Sequence, residues 1–188
     1  MIRARRFERA KDGQLVVRLH PEEVALLRRL ADELQELLDK RGAADGPAEG
    51  DNEGDEAVLS RLFPRAYLDP TEEQAEQEWQ RFSSPDLVAL RVAALRNLVD
   101  SLPATERRDG RVEGKLDEEH EAAWVGVLND ARLAIGTRLG VTEDDDYTAR
   151  GPDDPSYLAW QVYAWLTDLQ ADLIDVLLGG LPRAGTDS

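Results

Sequence analysis

Alternating apolar and polar positions at the start of the chain predict a β-hairpin. Leu15-Val16-Val17-Arg18-Leu19 is a β-prone run, and Ile2 and Phe7 flank an earlier one. Lys11-Asp12-Gly13 lies between the two runs, and Asp-Gly is a frequent hairpin turn. Because two strands alone are marginal in water, the hairpin is expected to pack against the rest of the molecule.

Apolar positions spaced by three and four residues predict helices along most of the remaining chain. Pro21 begins the first, which ends at Gly42. Further helices are predicted over 58–63, 70–82, 85–102, 117–139 and 155–178, with Asp69, Ser84, Asp117 and Asp154 at their start signals. The apolar band of the 85–102 helix is broad enough for burial on two sides, which predicts a central helix. Residues 111–113 favour a short strand.

These elements predict a mainly α fold, a single helical domain over residues 1–188 with about four long and two short helices and a small N-terminal β-hairpin. Residues 43–56 contain glycine, proline and six carboxylates but no base, which predicts a flexible acidic loop. Residues 181–188 are expected to form a flexible tail. A second acidic loop spans 143–154, where a hard cation is an open alternative to simple solvation.

The formal net charge of −16 disfavours nucleic acid and anionic membranes as partners. The first 20 residues are the exception, with six bases against two acids. The bases include Arg3, Arg5, Arg6 and Arg9. Two interpretations stay open: the segment docks against the acidic body, or it forms a surface for an acidic partner or phosphate.

The chain contains no cysteine, which excludes disulfides, thiolate nucleophiles, thiol redox sensing and cysteine-ligated zinc. No apolar run has membrane-spanning length, and no apolar signal-peptide core is present near the N-terminus. A cytoplasmic location is therefore expected.

Known catalytic and metal-binding motifs are not found. His120-Glu121-Ala122-Ala123-Trp124 approaches a zinc-protease motif, but Trp124 stands where the second histidine ligand is required. His20 is the other histidine and precedes Pro21. We therefore predict no catalytic residue, no cofactor and no metal site.

Polar residues are dense on the 117–139 helix, whose other positions are apolar. They are Asn129, Asp130, Arg132, Thr137 and Arg138. Residues three apart share a helix face, so Asn129 and Arg132 can act together. The group predicts either a polar network that fixes helix packing or a pocket for a ligand or partner.

The final helix carries Trp160 and Tyr163 away from its main apolar stripe. Aromatic residues of this kind are usually core, but exposed pairs serve as anchors in protein interfaces. Together with the basic N-terminal segment, they are the candidate partner surface.

Several segments together resemble one known family. Leu15-Val16-Val17-Arg18-Leu19 leads into Pro21-Glu22-Glu23-Val24, and Leu128-Asn129-Asp130-Ala131-Arg132 precedes Gly136-Thr137-Arg138-Leu139-Gly140; Trp165-Leu166-Thr167 follows. The pattern resembles the actinobacterial family of domain-of-unknown-function 2017 proteins over nearly the whole chain. The resemblance implies a cytoplasmic actinobacterial protein. The gene neighbourhood of the family, which includes the Clp-protease adaptor, sulfur-carrier and cysteine-synthesis genes, implies a role in proteostasis or redox regulation.

The leading functional hypothesis is a non-enzymatic regulatory or protein-interaction module whose partner is another protein. One alternative is a small-ligand or metal-dependent helical enzyme that uses the polar cluster around Asn129 and Arg132. A second is a DNA-binding regulator that uses the arginine-rich hairpin. A homodimer is compatible with all three.

Overall fold

The computed structural model of the protein describes residues 5–43, 53–67, 69–142 and 151–179. In this part of the chain, the helices are α1 (Pro21–Ala43), α2 (Glu53–Leu62), α3 (Glu73–Asp100), α4 (Glu118–Leu139) and α5 (Tyr157–Gly179). The strands are β1 (Phe7–Arg9), β2 (Leu15–Leu19), β3 (Thr105–Glu106) and β4 (Val112–Leu116). The predicted mainly α class with a small N-terminal hairpin is confirmed.

The hairpin is part of a four-stranded antiparallel sheet with the order β1-β2-β4-β3. Val17 of β2 lies opposite Phe7 on one side and Gly114 on the other. A short strand was predicted at 111–113. The observed strand β4 (Val112–Leu116) is longer because it pairs along the whole of β2. Gly114 lies so close to Pro103 that a Cβ there would come within 3.0 Å of the proline Cα, which accounts for glycine at this position.

The central helix is α4, and the prediction for the 85–102 helix was wrong. α4 packs against all four other helices of the described chain and against β4. Trp124 and Leu128 are fully buried in it, and Ala131 and Ala134 let neighbouring helices approach closely. Helix α3 packs mainly against α1, α4 and the turn before it, and several of its large apolar side chains are left exposed.

The predicted break at Ser84-Pro85-Asp86 does not occur, because α3 continues through Pro85 as one helix. A proline inside a helix removes one hydrogen bond and crowds the preceding turn. Val88, Val92, Leu95 and Leu98 follow the proline and join the hydrophobic core. Burial of these side chains outweighs the local cost of the proline.

Some of the predicted helix ends are confirmed. Others are not, since Gly42 lies inside α1 and α5 begins at Tyr157 rather than directly after Asp154. Asp69 accepts a hydrogen bond from the Thr71 backbone N–H (2.8 Å) in the 3₁₀ turn Pro70–Glu72 that precedes α3. Asp117 accepts one from the His120 N–H (3.0 Å), and Gly140 ends α4 with φ 64°. Of the predicted acidic loop 43–56, residue 43 belongs to α1 and residues 53–56 form the first turn of α2. Residues 44–52, the loop 143–150 and the tail 181–188 lie outside the described residues.

Candidate protein-interaction surface

The polar residues of α4 do not form a pocket, because they contact different helices. Asp130 forms an ion pair with Arg91 of α3, and Arg91 also donates to the Leu62 carbonyl oxygen (2.8 Å). Burial raises the pKa of Asp130, although the hydrogen bond and charge of Arg91 oppose that rise. The pair therefore links α2, α3 and α4 in a partly desolvated position.

The other members of the cluster also serve packing. Arg132 donates to Gln170 Oε1 of α5 (2.7 Å), and Arg138 donates to Asp55 of α2 (3.0 Å). Thr137 donates to the Leu133 carbonyl oxygen of its own helix (2.8 Å). Asn129 is half-buried beside them. The cavity next to this region holds only about 10 Å³ and is lined mainly by aliphatic side chains, which leaves room for little more than one water.

The described part of the basic N-terminal segment is paired with carboxylates of the body. Arg6 lies 3.4 Å from Glu23 and 3.3 Å from Asp172, and both guanidinium nitrogens Nη1 and Nη2 of Arg9 bond to Glu121. Arg5 is exposed, and Arg3 lies outside the described residues. These ion pairs favour the interpretation in which the segment docks against the acidic body.

A charged cleft of about 420 Å³ lies beside these pairs. It is lined by Arg6, Arg18, His20, Glu23, Asp109, Arg111 and Asp172. Arg18 bonds to Glu8 and Glu113 (2.6 Å each), and Arg111 bonds to Asp109 (2.7 Å). Because each of the three arginines is already matched by a carboxylate, the cleft has little excess positive charge for an anion.

Trp160 and Tyr163 are core residues, so the prediction of an exposed anchor pair was wrong. Their exposed fractions are 1% and 8%, and their rings meet edge to face with centroids 6.1 Å apart. Tyr163 packs onto Gly136 of α4, where a Cβ would come within 3.0 Å of its ring. The pair therefore fixes the approach of α5 to α4 and offers no surface to a partner.

The exposed apolar surface of the described chain is concentrated on α3. Four large side chains there are solvent-accessible: Trp79 (47%), Phe82 (74%), Leu87 (41%) and Leu90 (66%). At 100° per residue they fall within about 140° of the helix circumference. We call Trp79, Phe82, Leu87 and Leu90 the α3 face. Large exposed apolar side chains grouped on one helix face are typical of a protein-interaction site.

A polar network at the edge of the α3 face fixes this part of the helix. Glu76 is only 3% exposed and accepts hydrogen bonds from the backbone N–H groups of Ala66 (3.0 Å) and Tyr67 (2.9 Å) and from Gln80 (2.7 Å). Gln80 in turn accepts from Arg41 of α1 (2.6 Å). The network holds the N-terminal half of α3 against α1 and against the connection that follows α2.

Phe63 connects this network to the Asp130 pair. The guanidinium groups of Arg41 and Arg91 lie over its ring, 5.9 and 5.3 Å from the centroid, at distances that allow cation–π attraction. Phe63 itself is buried. The α3 face is therefore presented by a helix that is braced from behind by aromatic and charged groups.

We expect Glu76→Ala to lower the free energy of unfolding by about 1–3 kcal/mol, because it leaves three donors without their acceptor. Hydrogen bonding from Tyr67, aided by Gln80 and Ala66, lowers the pKa of Glu76 against the opposing effect of burial. A lowered folded-state pKa stabilises the fold above the ordinary glutamate range, and this stabilisation is lost as the pH falls through the folded-state value. Urea unfolding at several pH values should show the difference between wild type and variant shrinking in acid.

The exposed neighbour Glu78 provides the control for this measurement. Glu78→Ala should change the free energy of unfolding by no more than about 0.5 kcal/mol. An equal loss in the two variants, or a Glu76→Ala loss that does not depend on pH, would contradict the assigned role of Glu76.

Across residues 5–43, 53–67, 69–142 and 151–179, no group of three histidine or acidic side chains is arranged to hold a metal ion. His120 lies 2.8 Å from Asp117 at the start of α4. The helices that the structure describes are all too short or too polar to cross a membrane.

The exposure of the α3 face could not be read from the apolar pattern. Leu87 and Leu90 belong to the same three-and-four-residue apolar pattern as Leu98. Leu98 is buried and the other two are exposed because of where the neighbouring helices lie, which the pattern does not record. The one sequence feature that pointed to the α3 face was the broad apolar band of the predicted 85–102 helix, since such a band covers two sides of a helix.

Comparisons with known proteins identify one family and several relatives. Residues 4–177 match the family described as Domain of unknown function (DUF2017). The chain is 30% identical to the "Oxidative stress regulator AosR" of Mycobacterium tuberculosis (strain ATCC 25618 / H37Rv) over 188 residues, which cover 86% of this chain and 81% of that protein. It is 31% identical to the "Putative oxidative stress regulator AosR" of Mycobacterium leprae over 196 residues, which cover 93% and 87%.

No solved structure matches the chain. The family match begins before β1 and ends two residues before the end of α5, so it covers all or nearly all of every helix and strand described above. The predicted family resemblance is therefore confirmed, and the chain belongs to the DUF2017 family.

Proposed function

We propose that the protein is a non-enzymatic cytoplasmic regulator of the oxidative-stress response that acts through a protein–protein contact made by the α3 face. The names of the relatives, which are called oxidative stress regulators, support a role in the oxidative-stress response. The observation that carries the mode of action is the exposed apolar surface of Trp79, Phe82, Leu87 and Leu90 on a braced helix.

The composition limits how such a regulator receives an oxidant signal. The chain has no cysteine, and its single methionine is Met1. Reversible oxidation of proteins proceeds mainly at these two sulfur-containing residues. In this proposal the oxidant is therefore sensed by another molecule, and the protein responds to the state of its partner.

The surroundings of the α4 polar cluster support a structural rather than a catalytic role. Asp130, Arg132 and Arg138 each bond to a side chain of a different helix, and the adjoining cavity is too small for a substrate. The ion pairs of Arg6 and Arg9 with carboxylates of the body likewise support a docking role for these two arginines. The proposal also includes a link to proteostasis or sulfur metabolism, which is suggested by the gene neighbourhood of the family.

A genetic complementation experiment tests this function. A strain that lacks the gene should show altered survival and altered transcript levels under peroxide, and the wild-type gene should restore both. Phe82→Asp should fail to restore them, because a carboxylate in the centre of the α3 face opposes apolar contact. Leu158→Asp is the matched control, since Leu158 is 76% exposed but lies on α5.

Two results would overturn the proposal. One is a deletion strain whose peroxide response equals that of the parent. The other is full complementation by Phe82→Asp at wild-type protein levels.

A further inference from the structure

We infer that the α3 face binds the same face of a second copy of this chain in an antiparallel helix pair. This inference rests on the proposed function, because it names the protein that binds to the α3 face. It is carried by the spacing of the exposed residues and by their area.

The exposed apolar positions of α3 are arranged symmetrically. Trp79 and Leu90 are equally distant from the point between Ser84 and Pro85, and so are Phe82 and Leu87. In a two-fold interface residue i of one copy meets residue j of the other and the reverse, so this symmetric spacing brings apolar side chains to the same level in the two copies. In an antiparallel pair, Trp79 lies opposite Leu90 of the second copy, and the two Phe82 rings approach each other beside the axis.

The charge in the middle of the α3 face weakens the pair. Asp86 is exposed between Phe82 and Leu90. About a two-fold axis between Ser84 and Pro85, the two Asp86 positions lie three residues, or about 4.5 Å, apart along the helices. Their like charges repel, so the apolar contacts must outweigh this repulsion.

The available area fits a reversible dimer. The four side chains expose roughly 400 Å² per copy, which is the size of a functional patch on a monomer. Two copies with their polar rims reach about the lower limit of specific interfaces. The formal charge of −16 on each copy adds repulsion that salt screens. Dimerisation is therefore expected to depend on protein concentration and to strengthen with salt.

Sedimentation velocity tests the dimer directly on the full chain. The wild-type protein should change from monomer to dimer with rising concentration, with a lower dissociation constant at 500 mM than at 50 mM NaCl. Phe82→Asp should raise the dissociation constant at least tenfold, whereas Leu158→Asp should leave it unchanged. A wild-type monomer throughout, or equal effects of the two substitutions, would overturn the inference.

Cross-linking in this cysteine-free chain tests the direction of the helices. An equimolar mixture of Ala75→Cys and Ala93→Cys should form disulfide-linked dimers at least tenfold faster than Ala75→Cys alone, because these two positions meet only in the antiparallel pair. Faster cross-linking of Ala75→Cys with itself would contradict it. If the protein stays monomeric while Phe82→Asp still fails to complement the deletion strain, the second copy is excluded and the proposed function stands with a different partner.

Discussion

Replacing Trp124 by alanine is expected to lower the free energy of unfolding by about 3–5 kcal/mol, the largest effect of any single substitution considered for this protein. Trp124 is fully buried on the central helix α4. Phe7 of β1 meets its ring edge to face, with centroids 5.8 Å apart and planes at 86°. The indole N–H donates to Ser101 Oγ at the end of α3 (2.9 Å). One side chain thus joins the sheet to two helices.

Urea unfolding followed by far-UV circular dichroism measures this loss. Trp124→Phe should cost less than Trp124→Ala, because it keeps an apolar ring and loses the indole N–H donor. Trp79→Ala is the matched control on an exposed tryptophan, and it should cost about 1 kcal/mol or less. Equal losses at Trp79 and Trp124 would show that the assigned core is wrong.

The second large effect is expected for Asp130→Ala, at about 2–4 kcal/mol. The substitution leaves the partly buried guanidinium of Arg91 without its carboxylate. Arg91 keeps its bond to the Leu62 carbonyl oxygen and its position over the Phe63 ring, so the structure around it is retained in part. Thermal and urea unfolding at neutral pH should both show the loss.

The pH dependence gives this prediction a second readout. The raised pKa of Asp130 means that the native state binds a proton at this carboxyl more readily than the unfolded chain does. The contribution of Asp130 to stability is therefore larger below its folded-state pKa and smaller above it. Asn129→Ala, on the neighbouring residue, should stay within about 0.5 kcal/mol of wild type. A similar loss at Asn129 and Asp130 would contradict a specific role for the ion pair.

Local chemistry made much of the fold predictable. The caps at Asp69 and Asp117 are determined by backbone groups within a few residues, and the structure shows both of them as expected. Helical periodicity likewise identified the long helices, because their buried faces repeat every three to four residues. The family resemblance also followed from such local segments.

Features that depend on distant contacts were predicted less well. Pro85 is a helix-start signal in isolation, and the burial of Val88 and Leu95 keeps α3 continuous through it. Trp160 and Tyr163 could be core or surface according to where α4 lies. The exposure of the α3 face could not be predicted for the same reason. Apolar spacing shows which side of a helix is apolar and not whether another element covers that side.

The position of β2 in the sheet has a consequence for synthesis on the ribosome. Leu15 in β2 pairs with Leu116 in β4, so the second edge of β2 stays open until about a hundred further residues have been made. The hairpin and α1 emerge first, and an isolated hairpin is marginal in water. The N-terminal segment therefore completes its folding only after α3 and β4 have left the exit tunnel. A nascent chain arrested before residue 112 should be readily cleaved by protease within its first 20 residues, whereas one arrested well beyond β4 should be protected there.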